Sequence, residues 1–276
     1  MMMSDIPAGA AAPDSVPLGR AFAARARLAR RARRWRPGLT TQPLHAEIFA
    51  CGREASGAGL ALALARDGLR AAGTPDERRQ VLWVQERSAI RLGGRPYLHG
   101  LPDDVRHRVI HVAAKSPEDA LFAMEEGLKC RDLACVIGEV AGNPRALSFT
   151  ASRRLSLAAE RHGVALWLVR LDARPDLSSA RMRWQVAAAP SCAPRWNSEA
   201  PGAARWRAEL FRARGHLPGE WMMSDADGIF ARRALGRLPR QRAGSWRSGC
   251  RAWRSIAGGR LTASRRGRGP IARPSR

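Results

Sequence analysis

From residue 44 onward, hydrophobic and polar positions fall into a regular rhythm. Leu44–Cys51 is a short, largely apolar run that stops at Gly52. Ala58–Ala72 is rich in Ala and Leu, is followed by Gly73, and reads as a helix. Gln80–Glu86 and Arg108–Ala113 are the next two strands. Ser116 then stands as an N-cap with Pro117 at the first helical position and Asp119 three residues on, so a helix runs to about Leu128. Leu133–Glu139 is nearly all apolar, as strands buried on both faces are. Thr150–His162 is a helix stopped by Gly163, and Val164–Leu171 is a fifth strand. Strand and helix alternating at this spacing predict right-handed βαβ units and a mainly parallel sheet with helices on both faces.

After Asp172 the helices cease. Arg181–Ala189, Arg205–Arg212 and Glu220–Ala226 read as strands separated by proline- and glycine-containing turns. They predict an antiparallel extension at the C-terminal end of the sheet, with Trp184 and Trp206 as core anchors.

Charge changes the picture at the two ends. The chain of 276 residues carries a net charge of +24, with 46 arginines and only Lys115 and Lys129 as lysines. Residues 20–36 hold eight arginines and no acid, and residues 231–276 hold fourteen and no acid, leaving a near-neutral body between them. The expected organisation is a basic N-terminal arm over 1–43, partly helical or disordered, a core domain over 44–230 and an Arg-rich disordered tail over 231–276. Arg30, Arg31, Arg33 and Arg34 in one arm and Arg265, Arg266 and Arg268 in the other are the candidate nucleic-acid contacts. An acid-free, Arg-rich tail is also what a shifted reading frame in a GC-rich gene would produce, and composition does not separate the two. No apolar run approaches the ~20 residues of a membrane span, and none has the form of a secretory leader. The five cysteines are scattered and contain no CxxC, so reduced thiols are expected, with Cys51 and Cys135 as small core residues. No metal site is expected, since His107 and His111 straddle a strand entry.

The chemistry-bearing candidate lies between the first strand and first helix. Gly52-Arg53-Glu54-Ala55-Ser56-Gly57-Ala58-Gly59 sits in the strand–loop–helix context where G-x-x-x-x-G-K-[ST] cradles a nucleoside triphosphate. Gly52 and Gly57 keep the two glycine positions. Ala58 replaces the lysine that neutralises phosphate charge, and Gly59 replaces the hydroxyl that ligates Mg²⁺. Arg53 and Ser56 are the remaining polar loop residues. The expectation is a retained fold element, with ATP binding weak or absent and no cofactor.

HAEIFACGREASGAG, VLWVQE and LACVIGEV, in that order, resemble the ATPase core of RecA and, more closely, the ImuA family, RecA-related proteins of bacterial mutagenesis cassettes. RWRAELFRARGHLPGEWMMSDADG resembles the end of the same core, so the resemblance covers about residues 44–228. It implies a RecA-like P-loop α/β fold. It also places Glu86 where RecA has its water-activating carboxylate and Glu139 where the Mg²⁺-associated carboxylate belongs, both as vestigial candidates. A simpler role for each is a cap on a strand end. Arg170 is the nearest polar residue to the position that senses nucleotide. Val140–Phe149 and Asp172–Ala180 correspond to the DNA-contacting loops, the second short and holding Asp172 and Asp176 against Arg174.

The function implied is that of a non-catalytic accessory protein in SOS-induced translesion synthesis, an adaptor for an error-prone polymerase complex in the cytoplasm, associated with the nucleoid. The implied partners are an ImuB-like inactive Y-family polymerase homologue and a DNA polymerase III alpha-type subunit, with DNA through the arms. The 58–72 helix and a sheet edge near Leu210 are surfaces open to partners, and the sequence does not select between them. The alternatives are a cell-division inhibitor of the SulA type and an ATP-dependent RecA-like DNA-binding protein.

Overall fold

The computed structural model describes residues 35, 43–71, 78–191, 193–194, 196–197 and 199–225, and the backbone of 230–233. The expectations for the seven arm arginines named above lie outside the described residues.

Among the described residues nine strands form one sheet in the order β3-β2-β4-β5-β1-β6-β7-β8-β9. They are β1 (His45–Ala50), β2 (Gln80–Glu86), β3 (Val109–Ala114), β4 (Leu133–Ala141), β5 (Ala165–Leu171), β6 (Met182–Ala189), β7 (Arg205–Ala213), β8 (Gly219–Ser224) and β9 (Phe230–Arg233). The first six in sheet order from β3 to β6 are parallel, and β7, β8 and β9 continue antiparallel. This is the expected mixed α/β sheet, with one correction. β6 belongs to the parallel part, because it pairs with β1 from Ala46↔Met182 to Phe49↔Gln185. The antiparallel extension therefore begins at β7. A second correction concerns Leu210: it is fully buried on β7, which has strands on both sides, so it marks no sheet edge.

The helices are α1 (Ser56–Ala71), α2 (Arg87–Gly93), α3 (Asp103–Arg106), α4 (Pro117–Lys129) and α5 (Phe149–His162). Short α2 and α3 interrupt what the sequence pattern left as a connection. Ser116 caps α4 by accepting from the Asp119 amide at 3.1 Å, as the sequence signature predicts. Gly163 ends α5 in the left-handed region at φ 73°, a conformation glycine adopts without Cβ strain.

Alternation along the strands divides the core in two. One cluster joins α1 (Leu60, Leu64), α2 (Ala89) and α3 (Val105) to Ala46, Ile48, Trp83, Ile137, Val169, Trp184, Trp206 and Leu210. The other joins α4 (Met124, Leu128) and α5 (Leu155, Ala159) to Val84, Val136, Leu166 and Leu168. Each fully buried leucine stabilises the fold by about 1.5–3 kcal/mol relative to exposure. Trp184 and Trp206 are core residues, as expected. Trp35 was assigned to the basic arm, yet it is 1% exposed and packs edge-on against Trp184 (4.9 Å) and Trp221 (5.6 Å). The core thus begins before residue 43. No helix among the described residues is long and apolar enough to cross a membrane.

Candidate functional site

The loop from Cys51 to Ala55 leaves the C-terminal end of β1 and enters α1 at Ser56, two residues earlier than the sequence pattern indicates. Gly57 is required there. A Cβ at that position would lie 2.7 Å from Val169 Cγ1 and 2.8 Å from Ala50 Cβ, because the first turn of α1 rests on β5 and β1. Gly59 faces the Trp206 indole, where a Cβ would come within 3.1 Å. Ala58, at the lysine position, packs against the α1-side core. The first turn of α1 is therefore fitted to an apolar surface.

The loop amide nearest an anion already has one. Gly52 N donates to Asp172 Oδ1 at 3.0 Å, and Asp172 N donates to Ala50 O at 2.9 Å. This reciprocal pair holds Asp172 in the left-handed region at φ 51°, which Asp tolerates better than most side chains. Leu92 of α2 covers the same glycine: a Cβ on Gly52 would lie 2.9 Å from Leu92 Cδ1 and 2.8 Å from Asp172 Oδ2. On the other side, Glu54 Oε2 accepts from the Ala188 amide of β6 (3.0 Å) and from Ser56 Oγ (3.3 Å). Arg53 is exposed. The loop is thus tied down by two carboxylates of the chain itself, and a polyphosphate approaching it meets Glu54 and Asp172 with Arg53 as the loop's own cation. Like charges at this range oppose binding.

The two candidate glutamates are not brought together. Gln85 pairs with Glu139 across β2 and β4, so Glu86 lies one residue out of phase and faces the opposite side of the sheet. Glu86 is the N-cap of α2, its Oε1 accepting from the Ser88 amide at 2.9 Å. This is a buried helix N-cap and not the strand-end cap expected beside catalysis. Glu139 does not end its strand, since β4 continues to Ala141. It is buried and accepts from Trp83 Nε1 (2.6 Å) and Gln85 Nε2 (3.1 Å). Burial pushes its pKa up, and the two hydrogen bonds act in the opposite direction. Gln85 also holds Gly94 O (2.9 Å) and meets His111 Nε2 (2.9 Å), so this polar line fixes β2, β3, β4 and the end of α2.

Arg170 is not at the loop. It is 1% exposed on the α5 side of the sheet, within a charged network the sequence reading missed. Arg183 Nε donates to Glu47 Oε2 at 2.7 Å, Arg170 Nη1 stands 3.7 Å from Glu47 Oε1, and Ser178 Oγ donates to that same oxygen at 2.7 Å. Both guanidiniums lie over the Phe49 ring, at 5.1 and 5.6 Å. Ser152 joins Ser178 and Ser179, Ser179 joins Ser156, and Ser156 meets His45 Nδ1 at 2.7 Å. Burial, and secondarily Arg183, push the His45 pKa down to about 3. The segments 140–149 and 172–180 are drawn together over this network. Asn143 bonds Arg174 N and O and Asp176 Oδ2, all at 2.8 Å, while Arg170 and Arg183 approach Asp176. The signal was present in the sequence: Glu47, Arg170 and Arg183 are lone charges inside apolar strands.

Cysteine chemistry corrects a further expectation. Cys51 is disulfide-bonded, whereas Cys130 and Cys135 are free and Cys135 is buried. Among the described residues no group of three or more His, Cys, Asp or Glu side chains is placed to hold a metal ion.

The sheet order and the glycine-flanked junction after β1 define an α/β protein with a mainly parallel sheet and an antiparallel C-terminal extension. No protein-family model matches the chain. Two curated relatives, each named Protein ImuA and from Caulobacter vibrioides strains NA1000/CB15N and ATCC 19089/CB 15, are 34% identical to it over 153 residues, covering 52% of this chain and 59% of theirs. Over that stretch the chain is similar to these ImuA proteins. It spans less than two thirds of the length of these relatives.

Proposed function

We propose that this protein is a non-catalytic, RecA-like accessory protein of damage-induced mutagenesis, an adaptor for an error-prone polymerase complex. Its relationship to ImuA supports a role in the ImuA–ImuB mutagenesis system. The observation that carries the non-catalytic part is the Asp172 carboxylate on the Gly52 amide, beside Ala58 and Gly59 where a cation and a hydroxyl are needed. An adaptor needs a rigid frame, and Glu54 and Asp172 supply one by fastening the end of β1 to β6 and β5. The partners in this reading are an ImuB-like inactive Y-family polymerase homologue and a polymerase III alpha-type subunit, met in the cytoplasm at the nucleoid.

The test has two readouts on the full chain. ATP hydrolysis should stay at background with or without single-stranded DNA, and turnover abolished by Glu86→Gln would overturn the non-catalytic reading. Affinity capture after DNA damage should retain the two polymerase-like partners, and deleting the gene should remove damage-induced mutations. Undiminished mutagenesis in the deletion strain would overturn the adaptor role.

A further inference from the structure

We propose that the segment 87–100 is a stacking platform for single-stranded nucleic acid on the core itself, separate from the basic arms. Between Glu86 and Asp103 the chain carries Arg87, Arg91, Arg95 and His99 and no acid, and Glu86 is spent capping α2. Arg87 and Arg91 are four residues apart on α2 and share a side of it. All three arginines are exposed, and among the described residues none enters an ion pair, unlike Arg66, Arg106, Arg170 and Arg183. Their charge is free to meet phosphates.

Beside them stands the chain's single tyrosine. Tyr97 is 73% exposed; its ring lies 5.6 Å from the His99 ring and close to Gly100, where a Cβ would touch it at 3.0 Å. Leu98, next to it, is 47% exposed. The strap carrying these residues has a fixed course. Ala89 (0% exposed) anchors its start and Leu101 (9%) its end; Gln85 holds Gly94 O, and Arg106 holds Leu101 O at 3.2 and 3.3 Å. An exposed aromatic ring with three guanidiniums free of ion pairs within ten residues of it along the chain matches an unpaired base and its flanking phosphates. A duplex keeps its base faces stacked inside, so the platform selects single strands. An acidic peptide would use the arginines without the ring.

The experiment uses the full chain and a short oligothymidylate carrying 5-iododeoxyuridine, with photocrosslinking, peptide mapping and affinity titration. The crosslink should map to the peptide containing Tyr97. Tyr97→Ala should weaken single-strand binding by roughly tenfold, the loss of one stacked base, and leave duplex binding unchanged. Tyr97→Phe, which keeps the ring, should bind like the parent, and unaltered circular dichroism in both variants excludes a folding effect. Crosslinks confined to residues 20–36 or 231–276, or equal losses of single-strand and duplex affinity in Tyr97→Ala, would overturn the proposal.

Discussion

Ala46, Ile48 and Ala50 point from β1 toward α1, while His45, Glu47 and Phe49 point toward α5, and the two sets are buried by opposite means. The first set lies in a continuous apolar surface with Leu60, Leu64 and Trp184. The second places a histidine and a carboxylate at 2% and 0% exposure, satisfied by serines and two arginines. One strand thus shows that burial does not require apolarity when most polar atoms find a partner, although His45 Nε2, Arg170 Nε and Arg183 Nη2 hydrogen-bond to none. The apolar side tolerates change in proportion to the space it leaves. The polar side is all-or-none, because removing one member strands the others. It also orders the segment 172–180, which brings Asp172 to the loop.

That contrast ranks the mutants. Glu47→Ala should be the most damaging, about 3–5 kcal/mol, since it leaves Arg170 and Arg183 buried with only the part-exposed Asp176 as a shared carboxylate. Chemical denaturation measures it, and a loss below about 1 kcal/mol would show that the network contributes little. On the apolar side, Trp35→Ala should cost about 3 kcal/mol by emptying the space against Trp184 and Trp221. Gly57→Ala should cost about 1–3 kcal/mol, because β1 and β5 must move to admit a methyl group.

The remaining prediction is a slope. His45 titrates at about 3 in the folded protein against its ordinary 6.5 when unfolded. Between those values the unfolded chain holds the extra proton, so stability is complete above about pH 6.5 and falls toward pH 3 by about 1.4 kcal/mol per unit. His111, lowered by burial and Arg95, adds in the same direction, and Glu139, raised by burial, opposes it. His45→Asn should flatten the profile by about that slope, and an unchanged profile would contradict neutral burial.

Much of this was legible in the sequence where a local rule governs. Ser116, Pro117 and Asp119 specify the start of α4, Gly163 specifies the end of α5, and apolar runs specify the buried strands. The glycine-flanked loop and its missing lysine and hydroxyl could be read directly. What escaped depends on sheet order, which local pattern does not carry. Asp172 reaches Gly52 only because β5 lies next to β1, and Glu47 meets Arg170 and Arg183 only because β1 lies between β5 and β6. Glu86 and Glu139 each close a hydrophobic run in the sequence, but a one-residue phase difference puts them on opposite faces. Trp35 was hidden by its surroundings, since eight arginines outweigh one indole in any compositional window.

Isothermal titration of Mg²⁺ and ATP into the purified full chain tests most directly whether the loop after β1 has given up its ligand. With Asp172 on the Gly52 amide, no magnesium-dependent heat should appear up to millimolar nucleotide. Tight uptake that requires Mg²⁺ and is lost when Gly52 is replaced by valine in a chain that still folds would contradict it.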